Sequence, residues 1–171
     1  MPSDLYFEDF KPGMRFKGKV GRTVTDPDNI WFTLLTNNNN QIHFNSDYAK
    51  KNFPGEPFRG RMVVNGFLTL ATVAGILVEQ TSTNGFMLGM SNVRFLNPVF
   101  AGDTIYAECE VTAARRSESR PGNGVVSIRT RGYNQRKEKV IEFDRDFMVR
   151  ERGTVWGPAG GRRPGRKARS G

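Results

Sequence analysis

Asn65-GFLTLATVAGILVEQTS-Thr83 is the most apolar stretch of the chain, and its reading decides the fold. Phe67, Leu68, Leu70, Val73, Ile76, Leu77 and Val78 fall on nearly every side of a helix, with Ala71, Ala74 and Gly75 between them. A helix that is apolar all round is buried in its surroundings. The apolar run within it is too short to span a bilayer and is flanked by glycine and polar residues. Beyond this stretch the period changes to two. Phe86 to Phe95 is β-like, and Thr104 to Thr112 alternates with Ile105, Ala107, Cys109 and Val111 on one face. Arg120-PGNG-Val125 reads as a hairpin turn, followed by strands over Val125–Tyr133 and Val140–Val149. One very apolar helix with about five strands predicts an α+β arrangement, an antiparallel sheet wrapped around a long central helix.

Upstream of the helix the pattern is mixed. Met14 to Thr25 is strand-like after a Pro12-Gly13 turn. Thr25 is the expected N-cap of a helix opening at Asp26-Pro27-Asp28, since proline suits the first turn and acids favour its positive end. Ile30, Trp31, Leu34 and Leu35 form the apolar stripe expected to face the core. The helix stops at an asparagine run. Ser46-Asp47 is expected to cap a short helix over Asp47–Phe53, ended by Pro54-Gly55, with a loop to Gly60.

The chain has 171 residues, enough for one domain with a real core, and no internal repeat. Its single Cys109 excludes an internal disulfide framework, and one cysteine with one histidine leaves a transition metal without its usual ligands. No metal site is expected. Met1 to Phe10 is polar and acidic, unlike a signal peptide, so a cytoplasmic protein is expected. Residues 157–171, GPAGGRRPGRKARSG, hold five of the 26 basic residues and no acid. The rest of the chain therefore carries 21 basic against 17 acidic residues, a net of +4 rather than +9. The expected organisation is one domain over 1–156 and a basic, disordered tail over 157–171. Such a tail could attract nucleic acid, but a solvated extension is the simpler reading and nucleic acid is not the expected partner.

The only histidine, His43, follows Asn37-Asn38-Asn39-Asn40 in the stretch Thr36-NNNNQIHFN-Ser46. Imidazole exchanges protons near neutral pH, and asparagine amides donate and accept hydrogen bonds without titrating. One proton carrier among neutral amides is where a small polar molecule could be held. The plain alternative is a satisfied structural histidine.

Three segments resemble the MaoC-like, hotdog-fold family of R-specific enoyl-CoA hydratases and dehydratases, over about residues 6 to 150. Leu35-TNNNNQIH-Phe44 stands where that family has G-D-x-N-P-x-H; Val63-VNGFLTLA-Thr72 where it has V-H-G-M; and Phe95-LNPVFAGD-Thr104 matches F-x-x-P-V-x-x-G-D. The resemblance implies a hotdog fold. It also implies hydration or dehydration of an enoyl-CoA or 3-hydroxyacyl-CoA thioester, in which an Asp and a His hold the water. His43 takes the place of the histidine, while the Asp position is Asn38 and the family Asn is Asn40. The histidine of the usual H-G pair is Asn65, and its glycine is Gly66.

On this resemblance His43 is the expected base, with Asn38 and Asn40 orienting the water or the imidazole. Their plain alternative is capping the helix that ends at Thr36. The N–H of Gly66, at the start of the central helix, would meet the enolate oxygen, and Asn65 would orient His43 or the thioester. Arg59, Arg61 and Arg94 are candidates for coenzyme A phosphates or a substrate carboxylate, or are simply solvated. The missing acid suggests a substrate that brings its own carboxylate, such as a mesaconyl- or itaconyl-like thioester. No cofactor is expected beyond the coenzyme A of the substrate, and a homodimer or higher homo-oligomer is implied. The alternative is an inactive hotdog domain that binds acyl-CoA or a protein partner.

Overall fold

The computed structural model describes residues 4–156; the basic tail expected over 157–171 lies outside them. Six strands form the sheet: β1 (Arg15–Lys17), β2 (Arg22–Thr23), β3 (Gly85–Phe95), β4 (Thr104–Arg116), β5 (Asn123–Tyr133) and β6 (Lys139–Arg150). They run antiparallel in the order β1-β4-β5-β6-β3, with β2 also paired to β4. Four helices accompany them: α1 (Asp26–Leu35), α2 (Ser46–Asn52), α3 (Gly66–Ile76) and α4 (Val78–Thr81). This is the expected α+β arrangement.

The strand alternation reads true. Ile105, Ala107, Cys109 and Val111 of β4 are buried, and across the sheet Cys109 lies opposite Thr130, which lies opposite Phe143. Val73 of α3 and Leu77, just past its end, share the core cluster of this face. A Cβ on Gly132 of β5 would come within 2.5 Å of the Val73 side chain, so glycine there lets the helix sit close on the sheet.

The central helix departs from expectation in two ways. It does not run unbroken to Thr83. Leu77 ends α3, with its N–H bonded to Ala74 O in a tightened last turn, and α4 follows. Gly75 and the β-branched Ile76 and Val78 weaken helix propensity there. Nor is the helix buried all round, because the sheet covers one side only and leaves Phe67 69% exposed. The edge strand β3 carries further exposed apolar residues, among them Phe86, Met87 and Phe95.

Helix α1 begins as read, with a reciprocal capping box between Thr25 and Asp28. Its buried face is the opposite of the expected one. Trp31 and Leu35 are 68% and 75% exposed, while Asn29 and Thr33 are buried. The short helix α2 starts one residue early and is capped by Asn45, whose Oδ1 accepts from Tyr48 N–H at 3.0 Å, rather than by Ser46.

The Phe95–Thr104 motif joins the helix entry to the sheet. Val64 N–H donates to Val99 O at 2.8 Å, and Asp103 Oδ2 accepts from Phe100 N–H at 3.0 Å. Gly102 turns the chain at φ +92°, a backbone that side chains disfavour. Gln135 and Arg136 also donate to Asp103, at 2.8 and 3.1 Å. Burial alone would raise its pKa; these three donors outweigh it and hold the carboxyl below its ordinary value.

Candidate active site

The asparagine run divides its work residue by residue. Asn37 takes a left-handed φ of 54°, with its N–H on Leu34 O at 3.1 Å and that of Asn38 on Thr33 O at 3.0 Å. That pair of bonds is the Schellman end of α1. Asn38 Oδ1 then accepts from Asn40 N–H at 3.0 Å, so this amide helps fold the loop backbone. Asn40 caps a short 3₁₀ turn, Gln41–His43, accepting from Ile42 N–H at 3.4 Å. The run therefore folds into a rigid turn that ends on the histidine.

His43 is half-buried, and its Nδ1 lies 2.9 Å from Val63 O. A carbonyl oxygen can only accept, so Nδ1 is the donor in this bond, and in the neutral ring Nε2 is the nitrogen with the lone pair. Val63 immediately precedes the entry to α3. Asn65, 2% exposed, caps that helix: its Oδ1 accepts from Phe67 N–H at 3.0 Å and its Nδ2 donates to Thr33 Oγ1 at 3.2 Å. Both ends of the amide are engaged, and neither is on His43. The N–H of Gly66 has no partner among the described residues, as expected for the first residue of a helix. A Cβ on Gly66 would stand 2.9 Å from the Phe95 ring, so glycine lets that ring close over the helix start.

His43 and Gly66 line the same cavity, of about 340 Å³. Its other walls are mainly apolar, including Val63, Phe95 and Val140, with Thr69 and Asn97 as further polar side chains. No acidic or basic group besides His43 lines it. Asn38, Asn40 and Asn65 do not line it either, nor do Arg59, Arg61 and Arg94. Arg59 pairs with Glu56, Arg61 lies 3.7 Å over the Phe100 ring, and Arg94 lines a separate groove with Arg129, Glu142 and Asp144. The cavity can hold an apolar chain with a polar head between one base and one free N–H. That is the arrangement needed to move a proton while stabilising a developing oxyanion.

Sequence reading passed over Thr69, Asn97 and Asn29. The first two sit in patterns that suggested only packing and a turn. Asn29 lies beside the apolar stripe of α1, yet is 1% exposed. Its Nδ2 donates to His43 O at 2.8 Å and to Val63 O at 3.1 Å, and its Oδ1 accepts from Asn65 N–H at 2.8 Å. The one hint was a polar residue one helical turn before another, Thr33, on a face that reads as solvated.

Among proteins of known name, the chain is 32% identical over 152 residues to mesaconyl-CoA hydratase of Cereibacter sphaeroides, covering 88% of this chain and 42% of that protein. It is 29% identical over 148 residues to (R)-specific enoyl-CoA hydratase of Rhodospirillum rubrum, covering 86% of this chain and 94% of that one. Among solved structures, a Mycobacterium tuberculosis protein with a double hotdog fold superposes with a TM-score of 0.77 at 21% identity, covering 92% of this chain and 48% of that one. The sheet wrapped on α3 is thus a hotdog fold, and the chain spans less than half of the mesaconyl-CoA hydratase it matches. Residues 9–132, which include the asparagine loop, the entry to α3 and the Phe95–Thr104 motif, match the family described as MaoC like domain, and the chain belongs to that family.

Proposed function

We propose that the chain hydrates an enoyl-CoA thioester, or dehydrates the corresponding 3-hydroxyacyl-CoA, in the cavity between His43 and Gly66. The observation that carries this reading is one imidazole and one unpaired helix-start N–H on the same apolar cavity. His43 Nε2 takes a proton from water as the oxygen bonds to the β-carbon. The π electrons move onto the thioester oxygen, which Gly66 N–H and the positive end of α3 stabilise. The imidazolium then returns its proton to the α-carbon, restoring the thioester. No acid beside His43 lines the cavity, so one group does both transfers. Asn38 and Asn40 serve by shaping the turn that presents His43, and Asn65 by capping α3. The scheme uses no cofactor beyond the coenzyme A of the substrate.

A branched or dicarboxylic acyl group, mesaconyl- or itaconyl-like, is the substrate class we favour. Support comes from the similarity to a protein named mesaconyl-CoA hydratase and from a cavity without a carboxylate to repel a second acid. A homodimer in the cytoplasm fits the same reading. The open face of α3 and the apolar edge strand β3 need cover, and the mesaconyl-CoA hydratase is more than twice the span matched here. No helix among the described residues is long and apolar enough to cross a membrane.

Purified protein tested on crotonyl-, mesaconyl- and itaconyl-CoA, with loss of enoyl absorbance as readout, should turn over the dicarboxylic esters fastest. Equal rates on crotonyl-CoA would end the dicarboxylic preference. Binding of every ester with turnover of none would leave an acyl-CoA-binding domain.

A further inference from the structure

We infer that Asn29 is a positioning residue that fixes the distance between the base and the oxyanion donor. The inference rests on the hydratase reading for its effect on rate. Its structural part stands on the hydrogen bonds alone.

The buried Asn29 amide touches three backbone groups from two chain segments. One is the carbonyl of His43, the residue carrying the base, at 2.8 Å. The second is the carbonyl of Val63, at 3.1 Å, which also receives His43 Nδ1–H at 2.9 Å. The third is the N–H of Asn65, at 2.8 Å, one residue before Gly66. A single side chain thus holds the histidine's main chain, the acceptor of its Nδ1–H, and the entry to the helix whose first residue, Gly66, lines the cavity. Without it, the loop over Gln41–His43 and the segment over Val63–Asn65 keep only the His43–Val63 bond between these groups.

The residue type follows from the geometry. Two donors and an acceptor are required on one short planar group, which an amide supplies. Aspartate would turn an acceptor oxygen toward two carbonyls. Leucine, of similar size, would leave two part-buried carbonyls and one buried N–H without this partner, and native structures pair such buried N–H groups. Two helical turns before the asparagine loop is also a rigid place from which to hold it, because α1 is locked at both ends by its capping box and by the Schellman turn at Asn37.

Displacing reacting groups by about 1 Å can cost on the order of 10²-fold in rate. Asn29→Ala and Asn29→Ser are compared in the full chain with Val126→Ala, a buried β5 position outside the cavity lining. Kinetics on mesaconyl-CoA and hydrogen exchange at the Asn65 amide are measured on each. In Asn29→Ala, kcat should fall about 10²-fold while KM stays near the wild-type value, and the Asn65 amide should exchange faster. Asn29→Ser, which keeps a hydroxyl, should lie between, and it carries the test if the alanine variant does not fold. Val126→Ala should lose stability with kcat and Asn65 exchange unchanged. Asn29 variants that lose stability as Val126→Ala does, with wild-type kcat, would overturn the inference. If wild-type protein hydrates none of the esters, the hydratase reading fails alone. The exchange arm then decides, and an unchanged Asn65 amide in Asn29→Ser would overturn the clamp.

Discussion

The two ends of the central helix bury polar groups in opposite ways. At the entry, Asn29, Thr33 and Asn65 are each at most 2% exposed, and their side chains are tied to one another or to backbone. At the far end, Arg145 of β6 is 5% exposed with no carboxylate beside it, and its one hydrogen bond goes to Thr81 Oγ1 at 3.2 Å. Arg145 Nε and Gln80 Oε1 have no partner among the described residues. Desolvation lowers the Arg145 pKa, and it pushes the thiol of buried Cys109 up to about 11, so that cysteine stays a neutral, inert thiol. Thr81 Oγ1, which accepts from Arg145, itself donates to Leu77 O at 2.8 Å. The difference separates two uses of buried polarity. A fully bonded network fixes geometry beside an open cavity; a half-satisfied one is a cost carried away from that cavity's lining.

That contrast can be broken by experiment. The largest effect is expected at the entry, where His43→Ala should lower kcat by about 10²–10⁴-fold, the usual worth of a general base. Its melting temperature should barely move, because the ring is half-buried with one hydrogen bond. A large fall in melting temperature without loss of rate would make His43 structural. Gly66→Ala puts a methyl 2.9 Å from the Phe95 ring. Phe95 is an exposed residue and can swing away, so stability should change by less than about 1 kcal/mol. Activity should fall by about tenfold or more as the cavity mouth and the free N–H are disturbed.

Asp103 lies in the turn that binds the helix entry to the sheet. Its folded pKa is below the unfolded one, so its stabilisation is complete above about pH 4 and is lost as pH falls through the folded value. Urea midpoints of the wild type should therefore drop on acidification more steeply than those of Asp103→Asn, and the two curves should converge at low pH. The smallest effect belongs to the far end. Arg145→Met removes an unpaired buried charge and should be neutral or stabilising by about 1–2 kcal/mol, with kcat unchanged. A strong destabilisation would mean that the guanidinium is satisfied by groups at the helix end, and the contrast would collapse.

Much of this was legible in the chain itself. The switch from helical to alternating period located α3 and the core face of β4. The resemblance of Leu35–Phe44 and Val63–Thr72 to the family's motifs pointed to His43 and Gly66, and the structure places both on one cavity. The face of α1 was not legible. Periodicity weighs Trp31 and Leu35 above Asn29, but it does not count carbonyls arriving from His43 and Val63, distant in sequence. Nor could the run of asparagines say which amide ends a helix, which closes a turn and which caps the next. Sequence by itself determined most of the elements, the family and the candidate groups on the cavity, since each is set by side-chain chemistry and neighbours along the chain. Tertiary structure alone decided that a neutral amide on an outer helix would be buried, since only there do unpaired backbone groups from separate segments meet and require a partner.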